Sequence, residues 1–105
     1  MNEDKMYHIG LSKSDIKGAK FAILPGDPGR VEKIAAALDE AEMIGTKREY
    51  TSYLGKISGQ NVLVISTGMG GTYTAICVDE LAQIGITHSI RVGTRGGMQL
   101  YVTDG

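Results

Sequence analysis

The chain has 105 residues and a formal net charge of −1, which allows one small domain and gives no general attraction to nucleic acid or to an anionic membrane. Apolar residues make up 42%, enough for a packed core and against wholesale disorder. No apolar run approaches a membrane span, the opening Met1-Asn2-Glu3-Asp4-Lys5 lacks a signal-peptide core, and the single Cys77 excludes an internal disulfide. A cytoplasmic protein is the expectation, with Cys77 a small buried residue in an apolar helical stretch.

In chain order, residues 1–18 read as an irregular arm whose apolar-rich patch is Tyr7, His8, Ile9 and Leu11. Residues 20–24 form a first strand, and a glycine-rich turn leads into a helix over 30–38, with Val31, Ile34, Ala35 and Leu38 on one face. Alternating patterns predict strands over 41–46 and 49–57. Ser58-Gly59-Gln60-Asn61 is a turn, so 53–57 and 62–66 pair as a hairpin, and Val62-Leu63-Val64-Ile65 reads as a strand buried on both faces. A helix over 74–84 places Ala75, Val78 and Ala82 on one side and Asp79 and Glu80 toward water. Residues 89–92 make the last clear strand, and His88 opens it at the surface. The order is that of an α/β fold, a mixed twisted sheet flanked by helices.

The chemistry gathers where strands end. In Pro25-Gly26-Asp27-Pro28-Gly29-Arg30, Asp27 suits a helix cap and Pro28 the first helical turn. Gly26 and Gly29 allow close backbone approach, and a helix N-terminus beside Arg30 suits an anion. The plain alternative is an ordinary strand–turn–helix connection. Loops at 26–30, 67–72 and 93–97 all follow strands, are rich in glycine and hydroxyls, and in such sheets ligands gather at the carboxyl ends of strands. Arg30, Arg48 and Arg91 are candidate phosphate ligands, with Thr94 as a hydroxyl donor, because guanidinium stays charged and matches phosphate oxygens. Arg91 stands out between Ile90 and Val92, where an unpaired charge is costly. Ser66-Thr67-Gly68-Met69-Gly70-Gly71 partly matches a dinucleotide fingerprint, but Tyr73 stands where the third glycine belongs.

Five segments in order, Pro25 to Arg30, Arg48-Glu49-Tyr50-Thr51, Ser66 to Gly71, Val78-Asp79-Glu80-Leu81-Ala82 and Ile90-Arg91-Val92-Gly93-Thr94, resemble the type I nucleoside phosphorylases. The second and third look more like the uridine phosphorylase branch than the bacterial purine branch. The resemblance runs from about Tyr7 to Gly105 and implies the N-terminal part of a single nucleoside phosphorylase domain, residues 1–105. It further implies phosphorolysis of a nucleoside such as uridine to the free base and ribose 1-phosphate in pyrimidine salvage. Inorganic phosphate is then a co-substrate, with no other cofactor and no metal required. By motif, Gly26, Arg30, Arg91 and Thr94 hold phosphate, and Arg48 resembles the arginine supplied by a neighbouring subunit. His8 resembles the histidine that reaches across the same interface toward the ribose 5′-hydroxyl, while Met69 and Thr94 border the nucleoside. The implied partners are nucleoside and phosphate, with a homo-oligomer that is at least a dimer and, in the family, a hexamer of three dimers.

The chain departs from the family pattern in three places. Family members are usually more than twice as long, so the residues that read the base and grip the ribose hydroxyls are expected elsewhere, and little activity is expected of these 105 residues alone. Arg95 follows Thr94 where a small or hydroxyl residue is usual. Thr72 and Tyr73 replace a Pro-Ser pair, which argues against the monovalent cation site that some members build there with the equivalents of Glu49 and Met69. Two other readings remain. One is a purine nucleoside phosphorylase or a nucleosidase of the same fold, though a nucleosidase using water has no need of three anion-binding arginines. The other is a non-catalytic remnant that would bind phosphate or assemble without turnover.

Overall fold

A computed structural model of the chain describes residues 9–47, 50–67, 71–92 and 98–102. In chain order the elements are β1 (Phe21–Pro25), α1 (Pro28–Ala35), β2 (Asp39–Lys47), β3 (Tyr50–Ile57), β4 (Gln60–Ile65), α2 (Gly71–Gln83), β5 (His88–Val92) and β6 (Met98–Val102). The strands form one sheet in the order β2-β3-β4-β1-β5-β6. The central trio β4, β1 and β5 is parallel, and the outer pairs are antiparallel. The expected mixed α/β sheet is therefore present.

The parallel trio follows from its sequence. Val62, Leu63, Val64 and Ile65 are all buried, as a strand covered on both faces requires. One face carries Ala22, Leu24, Leu63 and Ile65, packed in a single core with Cys77 and Leu81 of α2 and Ile84 just after it. On the other face Val62 and Val64 are buried, and α1, with Val31 and Ala35 buried, lies against β1, β3 and β4. Full burial of one such aliphatic side chain contributes roughly 1.5–3 kcal/mol. The hairpin turn is two residues long, with both Ser58 (φ 53°) and Gly59 (φ 82°) left-handed, the geometry that matches the twist of the flanking strands. At Gly55 a Cβ would stand 2.6 Å from the Cβ of Leu38, so only glycine admits the chain that follows α1 this close to β3.

Several expectations are corrected. The arm is irregular over its described part, as expected, but it is also packed: Ile9, Leu11, Ile16 and Ala19 are buried in the α2-side core, because that face needs an apolar cover beside the helix. Helix α1 begins two residues earlier than its apolar period, at Pro28, since Asp27 caps it. It ends at Ala35, where tight turns (Ala37 N–H to Ile34 O, Leu38 N–H to Ala35 O, both near 3 Å) close it. On α2 the buried stripe is Thr74, Cys77 and Leu81, continued by Ile84 just past its end, whereas Ala75 is exposed and Val78 only partly buried. Asp79 does face water, but Glu80 is only 8% exposed and its Oε1 accepts the Ile9 N–H at 3.0 Å. A sixth strand, β6, lies beyond the last one expected, with Leu100 and Val102 exposed at the sheet edge. Cys77 is buried and His88 opens β5 beside Phe21, with ring centroids 5.1 Å apart, both as expected.

Candidate active site

Because β4, β1 and β5 run parallel and adjacent, their carboxyl ends share one edge of the sheet. Pairing sets Leu24 opposite Arg91 and Pro25 opposite Val92, so Gly26 leaves β1 where β5 ends. Arg30 lies one turn further on, at the start of α1. Gly26, Arg30 and Arg91 are thus brought to one edge. Arg48, Met69, Thr94 and His8 lie outside the described residues, as do Glu49 and Arg95.

The two described arginines reach that edge from opposite faces. Alternation along β5 sends Val92 to the α1 side, where it lines a cleft of about 340 Å³ with Arg30, Lys33 and Ile34. Arg91 goes to the α2 side and donates from Nε to Thr74 Oγ1 at 3.1 Å. Thr74 donates in turn to Thr67 Oγ1 at 3.4 Å, and both threonines are buried, at 2% and 0% exposure. Thr67 closes the thread by donating its backbone N–H to the carbonyl of Pro25 at 3.0 Å, immediately before Gly26. Ser66 ties the same loop to β3, its Oγ accepting the Thr51 N–H at 2.9 Å.

The helix end of α1 differs from the sequence expectation. Pro28 has no N–H, Gly29 N–H donates to Asp27 Oδ1 at 2.9 Å, and Arg30 N–H donates to the Asp27 carbonyl at 3.0 Å. Capping therefore occupies the first-turn donors that were expected to face an anion. The Arg30 guanidinium, exposed on this turn, carries the positive charge instead. A Cβ at Gly29 would come nearest the Asp27 carboxylate, at 3.4 Å.

Thr74 and Thr67 were not marked as site residues by sequence reasoning. Thr74 is a hydroxyl in a helix of mostly apolar and small residues, and its partner lies 17 positions away on another element. A buried hydroxyl on the apolar stripe of α2 was the available signal, but the stripe itself was misplaced. Cys77, by contrast, is chemically quiet. Burial, with the Glu80 charge second, pushes its thiol far above the ordinary range. Among the described residues no group of three His, Cys, Asp or Glu is placed to hold a metal ion, and no helix is long and apolar enough to cross a membrane. A second, apolar cleft of about 350 Å³ near Phe21, Ile57 and Ile90 lies at the opposite end of β1, away from these groups.

The phosphorylase superfamily profile matches residues 20–104. The chain is 49% identical over 100 residues to uridine phosphorylase of Haemophilus influenzae, covering 95% of this chain and 40% of that protein. It is 46% identical over 105 residues to uridine phosphorylase of Escherichia coli, covering all of this chain and 42% of that protein. Guanosine phosphorylase of Halorubrum lacusprofundi is more distant, 37% identical over 95 residues, with 90% of this chain and 39% of that protein covered. The chain thus spans about two fifths of the length of the curated relatives it matches. With its profile match across the whole described sheet and its parallel β4-β1-β5 trio, the chain belongs to the phosphorylase superfamily.

Proposed function

We propose that this chain provides the phosphate-holding side of a nucleoside phosphorylase acting on uridine. The observation that carries the reading is the arrival of Gly26, Arg30 and Arg91 at one sheet edge through the parallel trio. Identity near 47% to uridine phosphorylases, against 37% to a guanosine phosphorylase, favours the pyrimidine substrate.

In the reaction, a phosphate oxygen forms a bond to C1′ of the ribose while the C1′–N1 bond breaks. The electron pair of that bond leaves with the base as the uracil anion, which takes up the proton released by the hydrogen phosphate, giving uracil and ribose 1-phosphate. C1′ becomes cationic on the way, so an anion fixed beneath it lowers the barrier through position and charge. Arg30 and Arg91 supply fixed positive charge to that anion, and Gly26 supplies close backbone approach. Thr94 and Arg48 complete the phosphate site in this reading, with Arg48 coming from a neighbouring copy. His8 and Met69 serve the nucleoside, which makes a dimer the smallest working assembly. The protein acts in the cytoplasm on small molecules, with phosphate its co-substrate.

The test follows uridine cleavage by ultraviolet absorbance, with and without phosphate, in a preparation of verified mass. Cleavage that requires phosphate supports phosphorolysis. Cleavage independent of phosphate points to a nucleosidase and overturns the reading. Phosphate binding without cleavage, in the 105-residue chain and in any longer form of the protein, leaves a non-catalytic binder.

A further inference from the structure

We infer that Thr74 is the positioning residue of Arg91, fixing the guanidinium so that phosphate is met end-on. The inference rests on the proposed role of Arg91 as a phosphate ligand. A guanidinium offers two edges able to grip an anion with paired donors: the Nε side, and the end formed by the two terminal nitrogens. Thr74 Oγ1 takes the Nε–H at 3.1 Å, so the Nε edge is engaged by the protein. The terminal nitrogens are the pair left for bidentate contact with phosphate.

Thr74 is well suited to this task. It stands on α2, a 13-residue helix whose neighbouring Cys77 and Leu81 are locked in the core. Its own side chain is 2% exposed, so water does not compete for the Arg91 contact. Its hydroxyl proton points to Thr67 Oγ1 at 3.4 Å, which turns a lone pair toward the arginine. Thr67, wholly buried, is pinned by its N–H to the Pro25 carbonyl. One polar thread therefore joins β5, α2, the end of β4 and the end of β1, so the Arg91 head and the Gly26 backbone are held in a common frame. Without the thread, a half-buried arginine samples several rotamers, and each phosphate bound must pay for ordering it.

The experiment compares the wild-type chain with Thr74→Val and Thr74→Ser, measuring binding of inorganic phosphate by calorimetry and exchange of the Arg91 Nε–H by nitrogen-15 NMR. Thr74→Val is expected to weaken phosphate binding about tenfold or more, the size of one hydrogen bond to a charged group, and to speed Nε–H exchange. Thr74→Ser is expected to restore both. Melting without phosphate reports whether the valine variant is folded, and Thr74→Ala, which adds no bulk, repeats the comparison if it is not. Unchanged phosphate affinity in a folded Thr74→Val overturns the inference, and so does unchanged Nε–H exchange. If the wild-type chain binds no phosphate, the functional reading of Arg91 falls and the positioning role falls with it, while the exchange data still decide whether Thr74 holds the side chain.

Discussion

Cys77 is the residue whose chemistry is most altered by its surroundings. Burial raises its thiol pKa from the ordinary 9.0, and Glu80 raises it further. The sign of the consequence is definite. In the folded chain the thiol stays protonated where the unfolded thiol would ionise, so its contribution is fully present below about pH 9 and is lost as pH rises above it toward the raised folded value. Denaturant melts of wild type and Cys77→Ala, taken from about pH 7 to about pH 10, are expected to show the stability advantage of the wild type shrinking toward the alkaline end. An advantage constant across that range would mean that Cys77 does not titrate differently in the two states. The burial of Cys77 was legible from its apolar neighbours, and so was the anomaly of Arg91 between Ile90 and Val92. The remedy for Arg91 was not legible, because Thr74 meets it only after β5 and α2 have packed.

At the scale of elements, α2 holds the arm to the body through one buried carboxylate. Ile9 N–H, the amide of the peptide link to His8, donates to Glu80 Oε1 at 3.0 Å, and both groups are buried. Removing the acceptor strands a buried donor, which costs about 1–3 kcal/mol. Glu80→Leu is therefore expected to lower stability by about that amount and to expose the Ile9 amide to exchange, while Glu80→Gln, which keeps an acceptor, changes exchange little. Equal protection of the Ile9 amide in Glu80→Leu would show that apolar packing of Ile9 and Leu11 alone holds the arm. Periodicity gave the right helix here but the wrong face. Ala75, Val78 and Ala82 compete poorly for burial with Cys77, Leu81 and Ile84, which bury more area. The Asp27 cap of α1 and the buried run in β4 were read correctly because each depends on neighbours in sequence. Strand β6 was missed because its partner β5 lies across a glycine-rich loop and its outward residues Leu100 and Val102 give no alternation.

At the scale of the whole molecule, the candidate site joins parts that are distant in sequence: the end of β1, the start of α1, the end of β4, the early turns of α2 and the end of β5. A ligand gripping that edge binds only the folded sheet, because the unfolded chain cannot hold Gly26, Arg30 and Arg91 together. Mass action then requires phosphate to stabilise the fold, by about 2.7 kcal/mol at a hundredfold excess over Kd. For a chain of this size the expected rise in Tm is roughly 10 °C or more. Arg91→Met should remove most of that rise, since it deletes the charge and leaves an apolar side chain suited to its apolar strand neighbours. The variant's own Tm separates the two roles of the residue. A normal melt without phosphate and no rise with it marks Arg91 as a ligand. A lowered melt whose phosphate-dependent rise is intact would make Arg91 a structural partner of Thr74, and the anion would then rest on Arg30 at the other face of the sheet.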